Sequence, residues 1–213
     1  RRPVFIPYKD ENPTRRFALV SFLLIAANCV AYAFQVLGPG GFDAVTSRFA
    51  FNPTALGGDG AFWRAGTLLT LVSYMFCHGG FFHLGFNMLF LWIFGNNVED
   101  RMTRGRYLAF YLIMGIIAAL AFAAYSPGED VPLVGASGAV SGVLGAYLFM
   151  FPRAKIHVWM LFFTVRMRAF LFLPIWFLLQ LSGLSGGDDR IAWISHIAGF
   201  AAGALLFALF TAD

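Results

Sequence analysis

Six long apolar blocks separated by short polar stretches make up most of this 213-residue chain, and that pattern decides its solvent before anything else. An α-helix needs about 20 predominantly apolar residues to cross roughly 30 Å of hydrocarbon. The blocks at 17–37, 81–99, 107–125, 136–151, 169–185 and 191–210 reach or approach that length, with a start as early as 68 open for the second. Apolar residues form 59% of the chain and charged residues 12%, whereas soluble domains carry about 25% charged residues. The sequence therefore predicts an all-α, polytopic membrane protein. Residues 1–16 read as a cytoplasmic tail, 17–213 as a single six-helix membrane domain, and 38–66 as a long external loop rich in Gly. A chain so occupied has no room for a soluble catalytic module. Its chemistry must come from the spans or from the loops that cap them.

The net charge of +4 does not indicate a nucleic-acid partner, because the basic residues are scattered between apolar blocks. They follow orientation instead. With the N-terminus inside and six crossings, the inner side receives Arg1, Arg2, Lys9, Arg15, Arg16, Arg101, Arg104, Arg106, Arg153, Lys155, Arg166 and Arg168. The outer side receives only Arg48, Arg64 and Arg190. Such a bias sets both termini in the cytoplasm. The first apolar block comes after a polar, basic stretch and is long enough to span, so it reads as a signal anchor rather than a cleaved leader. Residues 156–165 are apolar for too short a run to cross and read as interfacial or re-entrant. Pro174 deprives the fifth block of a backbone hydrogen bond. Cys29 and Cys77 suggest neither a disulfide framework nor a metal spacing.

The informative residues are those that cost energy in lipid, since polar groups inside spans are rare and mark function. They are His83 and Asn87 in the second block, Ser137 and Ser141 opening the fourth, and His196 in the sixth. Under this topology all three helices place them in one layer, the outer leaflet. Gly199 and Gly203 come after His196 on the same helix face, while Gly138, Gly142 and Gly145 line the fourth block. Small residues allow membrane helices to approach closely, as a serine–imidazole hydrogen bond between helices requires. At 1.5 Å per residue the fourth block measures about 24 Å, short of the hydrocarbon thickness. Ser137 would then sit at a buried helix N-terminus beside a water-filled cavity.

These residues form recognisable motifs. The stretch GASGAVSGVLGAY (135–147) resembles the G-x-S-G segment of the rhomboid intramembrane proteases, and SHIAGFAAG (195–203) resembles their H-x-x-G-x-x-x-G segment. CHGGFFHLGFN (77–87) is similar to the family's H-x4-H-x3-N, Trp63-Arg64 to its W-R pair, and Glu99 to the glutamate ending its second helix. The resemblance implies a six-helix rhomboid bundle and a serine endopeptidase working by a Ser-His dyad. Ser137 would be the nucleophile and His196 its base, with His83, Asn87 and the Ser137 N–H as the oxyanion hole. Gly135, Gly138, Gly199 and Gly203 would support the site, and His78, Glu99, Trp63 and Arg64 the fold. One departure stands out. Some rhomboids carry an aromatic four positions after the nucleophile, stacked under the histidine; here the residue is Ser141, expected to orient His196 by a hydrogen bond.

The resemblance further implies single-span membrane proteins as substrates, drawn from the lipid bilayer, with no cofactor, metal or nucleic acid. The bare six-span layout suggests a bacterial inner membrane, with the site toward the extracytoplasmic side. Among the alternatives, a Cys77 thiol protease lacks oxyanion donors, and a metal held by His78, His83 and His196 lacks an acidic ligand and the H-E-x-x-H spacing. His157 reads as structural. A transporter would need a repeat or a midplane charge that the sequence does not display. A non-catalytic rhomboid-like chaperone that binds transmembrane helices remains the rival from another class; such relatives usually lack the serine or histidine that this chain retains.

Overall fold

The computed structural model describes residues 6–56, 65–128, 130–160, 162–183 and 190–211. Among the described residues two helices, α1 (Leu19–Leu37) and α6 (Arg104–Tyr125), are long and apolar enough to cross a membrane alone. A third candidate is a broken rod. Helix α3 (Ala65–Ser73) and a 3₁₀ turn (Tyr74–Phe76) lead at an 82° bend into α4 (Phe81–Phe90), a π-helical segment (Leu91–Gly95) and α5 (Asn96–Arg101). Helical structure thus does begin before 68, but Cys77 to Gly80 break it, so that residues 65–76 enter the rod at a sharp bend. Three shorter apolar helices complete the set, α7 (Ser137–Met150), α8 (Ala169–Gly183) and α9 (Arg190–Leu206).

Helix α7 is the centre of the molecule. Its residues from Gly138 to Tyr147 are all buried, and it is apolar all round, as expected of a helix enclosed by others. Helices α6 and α9 pack on it. Helix α6 starts cleanly because Thr103 caps it, the hydroxyl accepting from the Arg106 N–H at 3.4 Å.

Two stretches depart from the all-α expectation. Residues 155–168 form a β-hairpin, β2 (Lys155–Met160) and β3 (Phe163–Arg168), and part of the tail, β1 (Ile6–Asp10), pairs with β2 to make a three-stranded antiparallel sheet. Along β2 burial alternates: Ile156 and Val158 are buried in the core while Lys155 and Trp159 are exposed. That period of two identifies a half-buried strand; the apolar run at 156–165 covers most of β2 and the first half of β3. The tail is also anchored. Asp10 Oδ2 accepts from Tyr147 Oη of α7 at 2.7 Å and from Asn97 Nδ2 of α5 at 2.8 Å. The long loop holds structure of its own, α2 (Gly41–Phe49) and a 3₁₀ turn at Pro53–Leu56.

Candidate active site

Ser137 opens α7, and His196 lies near the start of α9. Their side chains meet, with His196 Nε2 2.7 Å from Ser137 Oγ. Glycines make this possible. A Cβ built on Gly199 would collide with the carbonyl oxygen of Gly138, and one on Gly203 with that of Gly142. On the same seam Gly145 has no room for a Cβ beside the Phe200 carbonyl. The two helices thus touch backbone to backbone, and the Ser137–His196 pair inherits its spacing from that contact.

The loop before Ser137 is held from the other side. Gly135 has φ of 116°, a region that L side chains rarely adopt. Its N–H donates to the Tyr74 carbonyl at 3.0 Å. The Ala136 N–H donates to His78 Nε2 at 3.4 Å. His78 is itself fixed through its backbone, since Gln35 of α1 donates to its carbonyl and accepts from its N–H, each at 3.0 Å. The external segments are also tied together, because Phe51 and Leu133 exchange N–H···O bonds at 3.1 and 2.7 Å.

His83 and Asn87 stand one turn apart on α4 and face the same space. The Gly79 N–H donates to His83 Nδ1 at 3.2 Å. In a neutral imidazole the other nitrogen then carries the proton, so His83 presents Nε2–H. That atom lies against Gly135, where a Cβ would meet it at 2.8 Å. Asn87 commits its amide to the His83 carbonyl at 3.0 Å; an NH₂ group supplies two N–H donors, so one remains. A cavity of about 390 Å³ is lined by His83, Asn87, Ser137, Ser141 and His196 together with Phe86, Phe90, Val140, Trp176 and Trp193.

A profile of the Rhomboid domain matches residues 60–212. The chain belongs to the rhomboid family. It is 34% identical over 144 residues to Rhomboid protease GluP of Bacillus subtilis, covering 67% of this chain and 26% of that protein. To Putative rhomboid protease YdcA of the same organism it is 33% identical over 138 residues, 61% of this chain and 65% of the relative. Rhomboid protease AarA of Providencia stuartii is 27% identical over 93% of this chain and 78% of its own length. Against the first two curated relatives the chain spans only about a quarter of their length. The apolar helices are those of an integral membrane protein, as befits a rhomboid.

Within this rhomboid the residues singled out from sequence fall into three groups. Ser137, His196, His83, Asn87 and Ser141 share the cavity. His78 and the glycines stand directly behind it. Glu99 is remote: its carboxylate accepts from the Val20 and Ser21 N–H groups at 2.9 and 2.7 Å, closing the first turn of α1. Trp63 and Arg64 lie outside the described residues. Ser141 Oγ donates to the Ser137 carbonyl at 2.7 Å, an i−4 bond within the helix that uses its proton and leaves its oxygen an acceptor. The ring edge-to-face with His196 is Trp193, with centroids 5.6 Å apart and planes at 89°. Trp193 and Trp176 were not legible as site residues, because they resemble the many lipid-facing aromatics. Among the described residues no three His, Cys, Asp or Glu side chains are grouped to hold a metal ion.

Proposed function

We propose that this rhomboid is an intramembrane serine endopeptidase that cleaves single-span membrane proteins in or near their transmembrane segments by a Ser137–His196 dyad. The observation that carries this reading is the 2.7 Å Oγ–Nε2 contact inside a cavity that also holds His83 and Asn87. In the attacking step His196 Nε2 takes the Ser137 proton while Oγ bonds to the scissile carbonyl carbon. Charge then develops on the carbonyl oxygen, which His83 Nε2–H, the remaining Asn87 N–H and the Ser137 backbone N–H would meet. His196 next protonates the leaving amine, and water enters the same cavity to release the acyl group from Oγ. Among the described residues no carboxylate lines that cavity.

The six apolar helical units, counting the broken rod as one, support six crossings with both termini in the cytoplasm. The bare six-span layout supports a bacterial inner membrane, and the basic bias a site toward the extracytoplasmic leaflet. Trp193 replaces the missing aromatic next to the catalytic imidazole, and Ser141 acts through the helix backbone. Retention of both dyad residues in bonding contact favours catalysis over a chaperone that only binds helices. A fluorophosphonate probe should label the purified protein covalently, with labelling abolished in Ser137→Ala and in His196→Ala. Equal labelling of Ser137→Ala would move the nucleophile elsewhere, and no labelling of the wild type would favour the non-catalytic reading.

A further inference from the structure

We propose that the outer face of the three-stranded sheet is a binding site for the headgroup of an anionic phospholipid. The sheet joins the end of α7 to the start of α8, so under the six-crossing topology proposed above its root stands where two apolar helices reach the bilayer surface. One face is occupied: Ile156 and Val158 are fully buried in the protein core. The opposite face bears cations in positions that a free-standing sheet would avoid. Lys155 lies directly across from Arg168, and Arg166 and Lys9 flank His157 from the two neighbouring strands. Like charges opposed across a strand pair are destabilising unless something anionic lies between them.

The chain itself supplies too little negative charge. Glu11 is the acidic partner here, 2.7 Å from His157, 3.5 Å from Lys155 and 3.7 Å from Arg166. Among the described residues Lys9, Arg153 and Arg168 make no ion pair, while Lys155 and Arg166 share the one Glu11 carboxylate. A soluble acidic partner would suit the charge but not the hairpin tip. There Trp159, Phe162 and Phe163 are 49%, 88% and 59% exposed. Aromatic side chains beside a cationic row are the composition that settles at the boundary of headgroups and acyl chains. Phosphate oxygens would accept from the Lys and Arg donors while the aromatic tip enters the acyl region.

The test uses the full chain in detergent, with retained lipid read by native mass spectrometry and stability by thermal midpoint. Phosphatidylglycerol should be retained about tenfold or more over phosphatidylcholine and should raise the midpoint, since each basic residue near the surface favours anionic lipid by a few-fold. The double variant R166Q/R168Q should lose that preference. R166K/R168K, which keeps the charge, should retain it, and R48Q on α2 should leave it unchanged. The proposal is overturned if phosphatidylcholine is retained equally, or if R166Q/R168Q keeps the preference. Displacement of the lipid by millimolar inorganic phosphate would also overturn it, by making this a free-anion site. Far-ultraviolet circular dichroism on each variant separates loss of binding from loss of fold.

Discussion

The two sides of α7 are built on opposite principles. Toward α9 it has almost no side chains: Gly138, Gly142 and Gly145 face Gly199, Phe200 and Gly203, and main chain rests on main chain. Toward α4 and α8 it meets large aromatics, Phe90 and Trp176 with ring centroids 6.0 Å apart, which surround a cavity of about 390 Å³ instead of closing it. The first side leaves no freedom, because a backbone carbonyl cannot rotate away as a side chain can. The second side can repack, since aromatic rings exchange rotamers at modest cost. The hydrolytic site proposed above needs both. The nucleophile and its base must be fixed to within a fraction of an ångström, and next to them a substrate segment and water must be able to enter.

The rigid side is the easier of the two to break. Gly199→Ala places a methyl group against the Gly138 carbonyl, and α9 must shift outward or turn to accommodate it. His196 is carried on the same helix, so the 2.7 Å contact opens. Misplacement by about 1 Å costs on the order of 100-fold in rate. Fluorophosphonate labelling of Gly199→Ala should therefore slow by about that factor while helical content is preserved, because the helices stay packed at a wider spacing. Labelling within about twofold of wild type would show that the seam is less rigid than its backbone contacts imply.

How much of this was legible in the sequence depends on what each residue costs in lipid. Ser137, His196, His83 and Asn87 were visible because a polar group within an apolar block is an anomaly, and topology brought four anomalies to one depth. The glycine seam was visible because its spacing keeps helical phase with them. Asp10 was hidden by its surroundings: in a tail with Lys9, Glu11, Arg15 and Arg16, one more charge is unremarked, although it reaches Tyr147 and Asn97 in the core. The hairpin was hidden by its aromatics. Trp159, Phe162 and Phe163 extend an apolar run, and these rings masked the alternation of Lys155, Ile156, His157 and Val158 just before them. Trp193 was hidden by abundance, in a chain with 26 Phe and 5 Trp.

The permissive side should answer with smaller effects. Trp193 contacts the imidazole edge-to-face, an arrangement worth about 0.5–1.5 kcal/mol beyond area burial. Trp193→Ala should lower kcat by about 3- to 10-fold, with a smaller change in KM, and Trp193→Phe should restore most of it. Ser141→Ala should cost less than Trp193→Ala, because it removes only an i−4 bond to the Ser137 carbonyl. A reversed order would mean that Ser141, and not Trp193, holds His196. Loss confined to KM would make Trp193 a wall of the substrate cavity and nothing more.

The smallest effect is expected at the far end of α7, where the helix is tied to the tail. Burial pushes the Asp10 carboxyl above its ordinary value, and hydrogen bonds from Tyr147 and Asn97 only partly counter it. A carboxyl with a raised folded-state value binds more protons in the folded protein than in the unfolded chain. Stability must then fall as pH rises from the ordinary Asp value, 3.8, toward the raised one. Asp10→Asn can still accept from Tyr147 and Asn97 but carries no titrating proton, so that decline should disappear. The thermal midpoint of the wild type should drop across this acidic window relative to Asp10→Asn, with labelling of Ser137 at neutral pH changed by less than about twofold, because the substitution preserves both acceptor contacts. A parallel pH dependence in the two proteins would mean that Asp10 is solvated in the folded state. The tail would then be held by β1 pairing alone, and the far end of α7 would be as loosely held as its aromatic side.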